Sequence, residues 1–184
     1  MAPEYAELVL HFDSAGTQST GEHTVSDGEA IEQRGLFFEE FEVGVRYLHR
    51  PGRTMTEGDN SLFTTLTMNS QALHLDAAWS ATQPFGQRLV NSMLTLSTMV
   101  GASVAQLTQG TLVANLGFSD VAFPAPVFIG DTLYFETLVD DKRLSASRPG
   151  QGIVTMTHRA VNQDGVLVGT TGRSALVWCE GARP

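Results

Sequence analysis

Residues 89–107 form the longest apolar segment of the chain, and this segment most constrains how the chain can fold. Leu94, Thr98, Gly101 and Val104 fall at helical steps, and small residues lie around nearly the whole circumference of the predicted helix. A helix that is apolar on most of its sides is buried by the elements around it. The segment therefore predicts one long helix in the centre of a domain.

The residues that follow Gly110 are typical of β-strands separated by turns. Turn residues at the boundaries predict strands at 111–123, 131–139, 152–161 and 166–178, with a tight turn at 162–165. A further strand is predicted before residue 56. One helix segregated against an antiparallel sheet defines the α+β class of folds.

A shorter helix is predicted between the first strand and the central helix. The residues TEGD at 56–59 have the spacing of a capping box, which predicts a helix that begins at residue 56 and ends near residue 67. Leu62, Phe63 and Leu66 fall on one face of that helix, as in an amphipathic helix.

The length of the chain predicts a single domain. With 184 residues, 42% of them hydrophobic, it can bury one substantial core. We assign this domain to residues 36–184 and expect residues 1–35 to be an N-terminal arm, partly irregular. Within the arm, residues 13–30 are rich in Gly, Ser, Thr and acidic residues, which predicts a loop or a partly mobile segment. Residues 8–12 are apolar enough for a short strand.

The charge and the cysteine content exclude several classes of protein. Eleven Lys and Arg against 20 Asp and Glu give a net charge of −9, the wrong sign for a protein that follows a nucleic-acid backbone. No stretch approaches the ~20 uninterrupted apolar residues of a membrane helix, and the N-terminus lacks the pattern of a secretion signal. Cys179 is the only cysteine, and the five histidines show no metal-ligand spacing. We therefore expect a cytoplasmic protein with no metal.

Three blocks of the sequence together carry a resemblance to a known family. They are TEGDNSLFTTLTMNSQALHLDAA at 56–78, RLVNSML at 88–94 and FPAPVFIGDTL at 123–133. In these blocks and in its strand pattern, roughly over residues 36–178, the chain resembles the MaoC-like dehydratase group of the hot-dog superfamily, which includes the R-specific enoyl-CoA hydratases. The resemblance implies a long central helix wrapped by a curved antiparallel sheet. It also implies a homodimer, or a higher homo-oligomer, with joined sheets and with active sites at the dimer interface.

The catalytic motif of the family is only partly retained. It has the form D-x-N-P-x-H, and laid back from His74 it places Asn69 where the family has its catalytic Asp. Gln71 and Ala72 stand in the places of the motif's Asn and Pro. His74 is the one residue of the motif that is unchanged.

Adding water across an enoyl thioester requires a base, an acid and donors that hold the enolate oxygen. A histidine suits the proton transfers because its ordinary pKa of about 6.5 lies near neutrality. The family's H-G-M-L at the start of the central helix becomes NSML at 91–94, so the resemblance assigns the oxygen-binding amide to Ser92, next to Asn91. The N-terminus of a helix favours developing negative charge.

Each candidate residue also has a purely structural interpretation. His74 is otherwise a loop histidine bonded to the neighbouring backbone. Asn69 is otherwise a turn residue that caps the preceding helix; as a functional residue it can orient a water but cannot accept its proton. Asp59 is most simply the partner of Thr56 in the capping box, and its alternative role is to supply the missing carboxylate.

Other residues of the matching blocks are predicted to be structural. Asp76 is placed to cap a short helix at 77–79. Met93, Met99 and Phe63 are expected in the core, although core and acyl pocket can coincide in this fold.

Cations are concentrated in the residues DDKRLSASR at 140–148, a predicted loop between two strands. Lys142, Arg143 and Arg148 are candidate ligands for the phosphates of coenzyme A, and the alternative is an ordinary solvated hairpin. Arg88 is a separate candidate, which would meet a carboxylate on the acyl group.

The sequence thus predicts a hydratase or dehydratase that acts on a short enoyl-CoA thioester, including branched or dicarboxylic ones. No cofactor is expected beyond the coenzyme A of the substrate. Two alternatives stay open. The loss of the motif's Asp is compatible with a non-catalytic acyl-CoA-binding protein. A hot-dog thioesterase is disfavoured because residues 89–107 contain no Asp or Glu, although Asp59 keeps it open.

Overall fold

The computed structural model describes residues 10–12, 18–20 and 30–183. The chain divides into two units, residues 1–32 and 33–184. In the first unit, β1 (Leu10–Phe12) pairs with β2 (Gln18–Thr20) in antiparallel fashion. β1 falls in the apolar run at 8–12, of which residues 8 and 9 lie outside the described residues. The prediction of a loop over 13–30 is wrong at β2, and most of the predicted arm lies outside the described residues.

The second unit contains a five-stranded antiparallel sheet and a set of helices. The sheet has the strand order β3-β5-β6-β7-β4. In chain order the elements are a 3-10 helix (Phe38–Glu40), β3 (Arg46–Thr54), α1 (Glu57–Leu66), α2 (Ala72–Leu75), α3 (Ala77–Ser80), α4 (Ser92–Leu107), β4 (Leu112–Ala122), β5 (Thr132–Leu144), β6 (Gln151–Val161) and β7 (Leu167–Trp178). Within the described residues, every helix is too short or too polar to cross a membrane.

The predicted order of elements is confirmed, with one change of length. All four strands expected after Gly110 are present, and the turn at 162–165 is closed by a bond from the Gly165 amide to the Asn162 carbonyl. However, β5 continues to Leu144 and pairs with β6 over these last residues. The prediction that residues 140–144 belong to a loop is therefore wrong, and only the residues from 145 to 150 form the turn.

The long helix α4 packs against the inner face of β3, β5, β6 and β7. Met99 is fully buried, as predicted for the core. Met93, in contrast, is 51% exposed, and Ser97, Gly101 and Ala105 are exposed on the same face. The expectation that this helix is covered on most of its sides is therefore wrong for a single chain. The small residues on the uncovered face are not polar, so the sequence pattern does not distinguish this face from a buried one.

The helix α1 buries its polar side. The predicted capping box is present, with Thr56 accepting from the Asp59 amide and Asp59 accepting from the Thr56 amide. Leu62 and Leu66 are exposed, and Phe63 is only partly buried. Phe63, which was expected in the core, is thus not fully buried, because the hydrogen-bonding side chains of Asn60 and Thr64 point inward instead.

The core has two apolar clusters with a polar layer between them. One cluster surrounds Leu107 at the end of α4, and the other surrounds Leu96 and Met99 nearer its start. Between them, the side chains of Thr137 and His158 lie opposite each other on β5 and β6. Both are completely buried.

Hydrogen bonds in this layer form a chain that begins on α4. His49 Nδ1 donates to the Gln106 Oε1 atom (2.9 Å), so its Nε2 accepts from the Thr137 hydroxyl (2.7 Å). The Thr137 oxygen then accepts from His158 Nδ1 (2.7 Å). The Arg173 guanidinium, on β7, is also buried and donates through Nε to Asn115 (2.9 Å).

These surroundings keep both histidines neutral. Burial, reinforced by the positive charge of Arg173 and by His49, lowers the pKa of His158 to about 3. Burial also lowers the pKa of His49 below its ordinary value. The unfolded chain therefore binds more protons than the folded one below a pH of about 6.5.

We expect the free energy of unfolding to decrease as the pH is lowered, because of the buried histidines in this layer. The contribution of neutral His158 is fully present above about pH 6.5 and is lost as the pH drops toward 3, by up to about 1.4 kcal/mol per pH unit. Urea unfolding at a series of pH values between about 7.5 and about 5 measures the slope. In His158→Gln the slope should be shallower, and a slope equal to that of the wild type would contradict this account.

Candidate active site

A cavity of about 480 Å³ opens at the N-terminal end of α4. Its walls come from α2, from the residues on either side of the start of α4, from the segment after β4, and from β7. The lining residues are Leu73, His74, Phe85, Leu89, Val90, Ser92, Thr95, Phe123, Pro124, Ala125, Pro126, Val127 and Val168. Among the described residues that line this cavity, His74 is the only one with a titratable side chain.

The His74 ring is held by the backbone. It lies on α2, and its Nδ1 donates to the Leu89 carbonyl oxygen (3.0 Å). The carbonyl can only accept, so Nδ1 carries the proton, and the lone pair on Nε2 of the neutral ring has no hydrogen-bond partner among the described residues. The ring can therefore take a proton at Nε2. This contact with the backbone matches the structural interpretation of His74 but does not conflict with the catalytic one.

Ser92, at the start of α4, lines the same cavity. Asn91 caps the helix, because its Oδ1 accepts from the Met93 amide (3.0 Å). The Ser92 amide belongs to the first residue of the helix, and it has no hydrogen-bond partner within the described part of the chain. The helix dipole adds to the attraction of this amide for a negatively charged oxygen.

Asn60 connects the parts of this site, and the sequence reasoning missed it. Its side chain is completely buried. Its Nδ2 donates to the His74 carbonyl (3.1 Å) and to the Leu89 carbonyl (3.4 Å), and its Oδ1 accepts from the Asn91 amide (2.8 Å). The available signal was a pair of polar residues, Asn60 and Thr64, one helical turn apart on a face of α1.

Thr64 and Thr95 are the other polar residues that the sequence reasoning did not single out. Thr64 accepts from the Asn91 side chain (3.3 Å) and thus supports the cap of α4. Thr95 lines the cavity one turn after Ser92, yet its buried hydroxyl has no partner among the described residues. The neighbouring hydroxyl of Thr98 instead returns to its own helix, at the Leu94 carbonyl (2.8 Å).

The structure does not bring Asn69 into the cavity lining. Its Oδ1 accepts from the Gln71 amide (3.0 Å), which closes a short turn after α1. This is a turn role, close to the structural interpretation given above. The water-orienting role of Asn69 stays a prediction.

Asp59 also lies apart from His74. The hydroxyl and amide of Thr56 and the guanidinium of Arg53 (2.7 Å) donate to its carboxylate and hold the pKa of Asp59 below its ordinary value. The carboxylate lines a second cavity, of about 310 Å³, together with Leu94 and Thr98 of α4. The capping role is thus confirmed, as is the cap that Asp76 provides to α3.

The candidate cations are dispersed. Arg88 donates to Glu57 (2.8 Å), and Lys142 donates to the Phe38 and Glu39 carbonyls of the 3-10 helix (3.2 and 3.0 Å).

The two remaining cations, Arg143 and Arg148, are exposed. They follow the part of β5 that packs near Leu107, whereas the cavity lies at the other end of α4. The 16 residues of α4 span about 24 Å, so one chain does not bring these cations to His74.

A five-stranded antiparallel sheet packed on a long central helix is the architecture of a hot-dog domain. A Mycobacterium tuberculosis protein described as a double hot-dog fold has the same architecture, with a TM-score of 0.72 at 23% identity. The superposition covers 82% of this chain and 46% of that one. The model of the MaoC-like domain matches residues 39–162, and the chain belongs to this family.

Relatives with named activities include a dehydratase and a hydratase. The β-methylmalyl-CoA dehydratase of Chloroflexus aurantiacus is 33% identical over 136 residues, which are 70% of this chain and 36% of that protein. The (R)-specific enoyl-CoA hydratase of Aeromonas caviae is 33% identical over 114 residues, 62% of this chain and 79% of that protein. The chain thus spans little more than a third of the length of the dehydratase.

The buried Thr95 hydroxyl, which has no hydrogen-bond partner among the described residues, is expected to lower the stability of the fold. A buried hydroxyl without a partner costs about 1–3 kcal/mol, so Thr95→Val, which keeps the shape, should raise the free energy of unfolding by about 1 kcal/mol. Thr98→Val is the matched control and should bring no gain, because the Thr98 hydroxyl is already bonded. Equal shifts in urea unfolding of the two variants would contradict this assignment.

Proposed function

We propose that this chain adds water to the double bond of a short enoyl-CoA thioester and catalyses the reverse dehydration. The observation that carries the proposal is the placement of His74, with its Nε2 free, in one cavity with the unpaired Ser92 amide. The activities of the named relatives support the same reaction. The coenzyme A of the substrate is the only cofactor that this chemistry needs.

In the proposed mechanism His74 handles both protons. Its Nε2 takes a proton from water as the hydroxyl adds to the β-carbon and the electron pair of the double bond shifts toward the thioester oxygen. The Ser92 amide donates to that oxygen while it carries negative charge. The imidazolium then returns its proton from Nε2 to the α-carbon. One water is added, and the histidine ends in its starting state.

A single residue is assigned both proton transfers because no carboxylate lines the cavity within the described residues. The same observation favours the second candidate function, an acyl-CoA-binding protein without catalysis. A thioesterase would need a carboxylate to activate water, and Asp59 faces a different cavity while paired with Arg53.

We infer that the substrate's acyl group is short and that it includes branched or dicarboxylic forms. The apolar walls of the cavity, with Phe85 and Phe123, support a compact hydrocarbon part. Arg88 stays a candidate for a carboxylate on this group, although it is paired with Glu57. Binding of the coenzyme A phosphates by Lys142, Arg143 and Arg148 also stays a prediction. It requires a second chain to bring these cations near His74, because one chain does not.

We infer further that the protein is a homodimer that pairs through β4. Both β3 and β4 are edges of the sheet, and unprotected edges invite pairing. β3 carries three Arg and one Pro, and both residue types protect an edge. β4 instead exposes Leu116, Phe118 and Val121, and the cavity wall at 123–127 follows it directly. Pairing at β4 would therefore place each cavity next to the partner.

The His74 assignment is tested by turnover. His74→Ala should lower kcat at least ~100-fold, the usual cost of losing a general acid or base, while acyl-CoA affinity persists. Loss of the enoyl absorbance of crotonyl-CoA measures hydration, and release of free thiol measures hydrolysis separately.

Two variants separate the rival functions. Asn69→Asp restores the family's carboxylate, so activity that appears only in this variant would make the natural chain a binding protein. Asp59→Asn should leave hydration largely unchanged, and a collapse there, with indifference to His74→Ala, would move the chemistry to α1.

The pairing edge is tested by charge. Leu116→Lys should convert a wild-type dimer into a folded monomer in sedimentation velocity at micromolar concentration, because like charges would face each other across the two-fold axis. Leu48→Lys, on β3, is a control of equal exposure, since Leu48 and Leu116 are each 49% exposed. A monomeric wild type, or a dimer that only Leu48→Lys disrupts, would overturn the β4 interface.

A further inference from the structure

We propose that Asn60 is a positioning residue that fixes the tautomer and the orientation of the catalytic His74. The inference rests on the proposed function, because it assigns how the free Nε2 of His74 is maintained. Asn60 itself lines neither cavity, so it does not act on the substrate directly.

The orientation of the Asn60 amide is determined by its partners. The Asn91 amide can only donate, so it must face the Asn60 oxygen (2.8 Å). The His74 and Leu89 carbonyls can only accept, so they must face the Asn60 nitrogen (3.1 and 3.4 Å). If the amide were flipped, its NH2 group would face the Asn91 N–H, and its oxygen would face the two carbonyl oxygens, so none of the three contacts could be a hydrogen bond. The oxygen and the nitrogen of the Asn60 side chain therefore each have a defined hydrogen-bonding role.

The role of the Asn60 nitrogen is to fix the orientation of the His74 ring. The Leu89 carbonyl accepts both from Asn60 Nδ2 and from His74 Nδ1 (3.0 Å). The Leu89 amide in turn donates to the Leu73 carbonyl (3.1 Å), which ties the strand-like segment before α4 to α2. By holding the Leu89 carbonyl in place, Asn60 gives the His74 ring a fixed acceptor for Nδ1–H. The partner of one ring nitrogen sets the protonation of the other.

The second role of the Asn60 side chain is to fix the distance between His74 and the start of α4. The Asn60 oxygen binds the Asn91 amide, immediately before Ser92, while its nitrogen binds the backbone of His74. One buried side chain thus connects the proton-transfer residue with the amide that receives the thioester oxygen. Small errors in such spacing lower the rate of the chemical step more than the binding of the substrate.

The first test reads the tautomer of His74 without any substrate. In nitrogen-15 spectra of the full chain, the wild-type ring should be protonated at Nδ1 and unprotonated at Nε2 at neutral pH. In Asn60→Leu the ring should populate both tautomers, because the Leu89 carbonyl is no longer held. Thr64→Val is the matched control on the same buried face: it removes only the contact to the Asn91 side chain and should keep the wild-type tautomer.

The second test reads turnover. Asn60→Leu should lower kcat for crotonyl-CoA at least about tenfold, since a wrong histidine tautomer is costly in catalysis, and should change KM by less than about threefold. Asn60→Asp covers the case in which the leucine variant fails to fold. Its kcat relative to the wild type should rise as the pH falls, because a protonated carboxyl regains one donor.

The outcomes are separable. An unchanged tautomer in both Asn60 variants, or a kcat equal to that of the wild type, would overturn the positioning role. A wild type that turns over no enoyl-CoA would overturn the hydratase proposal, whereas the tautomer measurement would still decide whether Asn60 orients His74.

Discussion

The arrangement of this domain depends on one constraint: the backbone polar groups just before α4 belong to no regular helix or strand and must find partners inside the protein. Asn60 and Thr64 meet this need from a neighbouring helix. This explains why α1 turns its polar face inward and leaves Leu62 and Leu66 exposed. The same bonds align α2 with the start of α4, so the geometry of the cavity is a consequence of how buried amides are satisfied.

The secondary structure could be predicted from the sequence because local signals determine it. The TEGD capping box, the long apolar segment and the turn at 162–165 each depend on residues close together in the chain. Apart from the loop predictions that were wrong at residues 18–20 and 140–144, what failed were inferences about which face of a helix is covered. Leu62 and Met93 are apolar and periodic, yet both are exposed in the single chain, because coverage depends on partners distant in sequence.

The candidate site was predictable only in part, for a similar reason. His74 and Ser92 belong to recognisable motifs, and they do line one cavity. Asn60 lies in the same matching block of sequence as Asp59, but no spacing rule distinguishes a buried asparagine that binds three backbone groups from an exposed one. The buried chain from His49 through Thr137 to His158 was likewise not predictable, since it joins three strands.

The two edges of the sheet differ in a way that bears on how many chains can associate. β3 carries three arginines and a proline, which oppose strand pairing, whereas β4 exposes apolar side chains and continues into the wall of the cavity. A sheet that can grow at one edge only is completed by a single addition, since the next free edge on each side is a protected one. With the proposed pairing at β4, this asymmetry would end assembly at a closed pair and prevent growth into an open fibre.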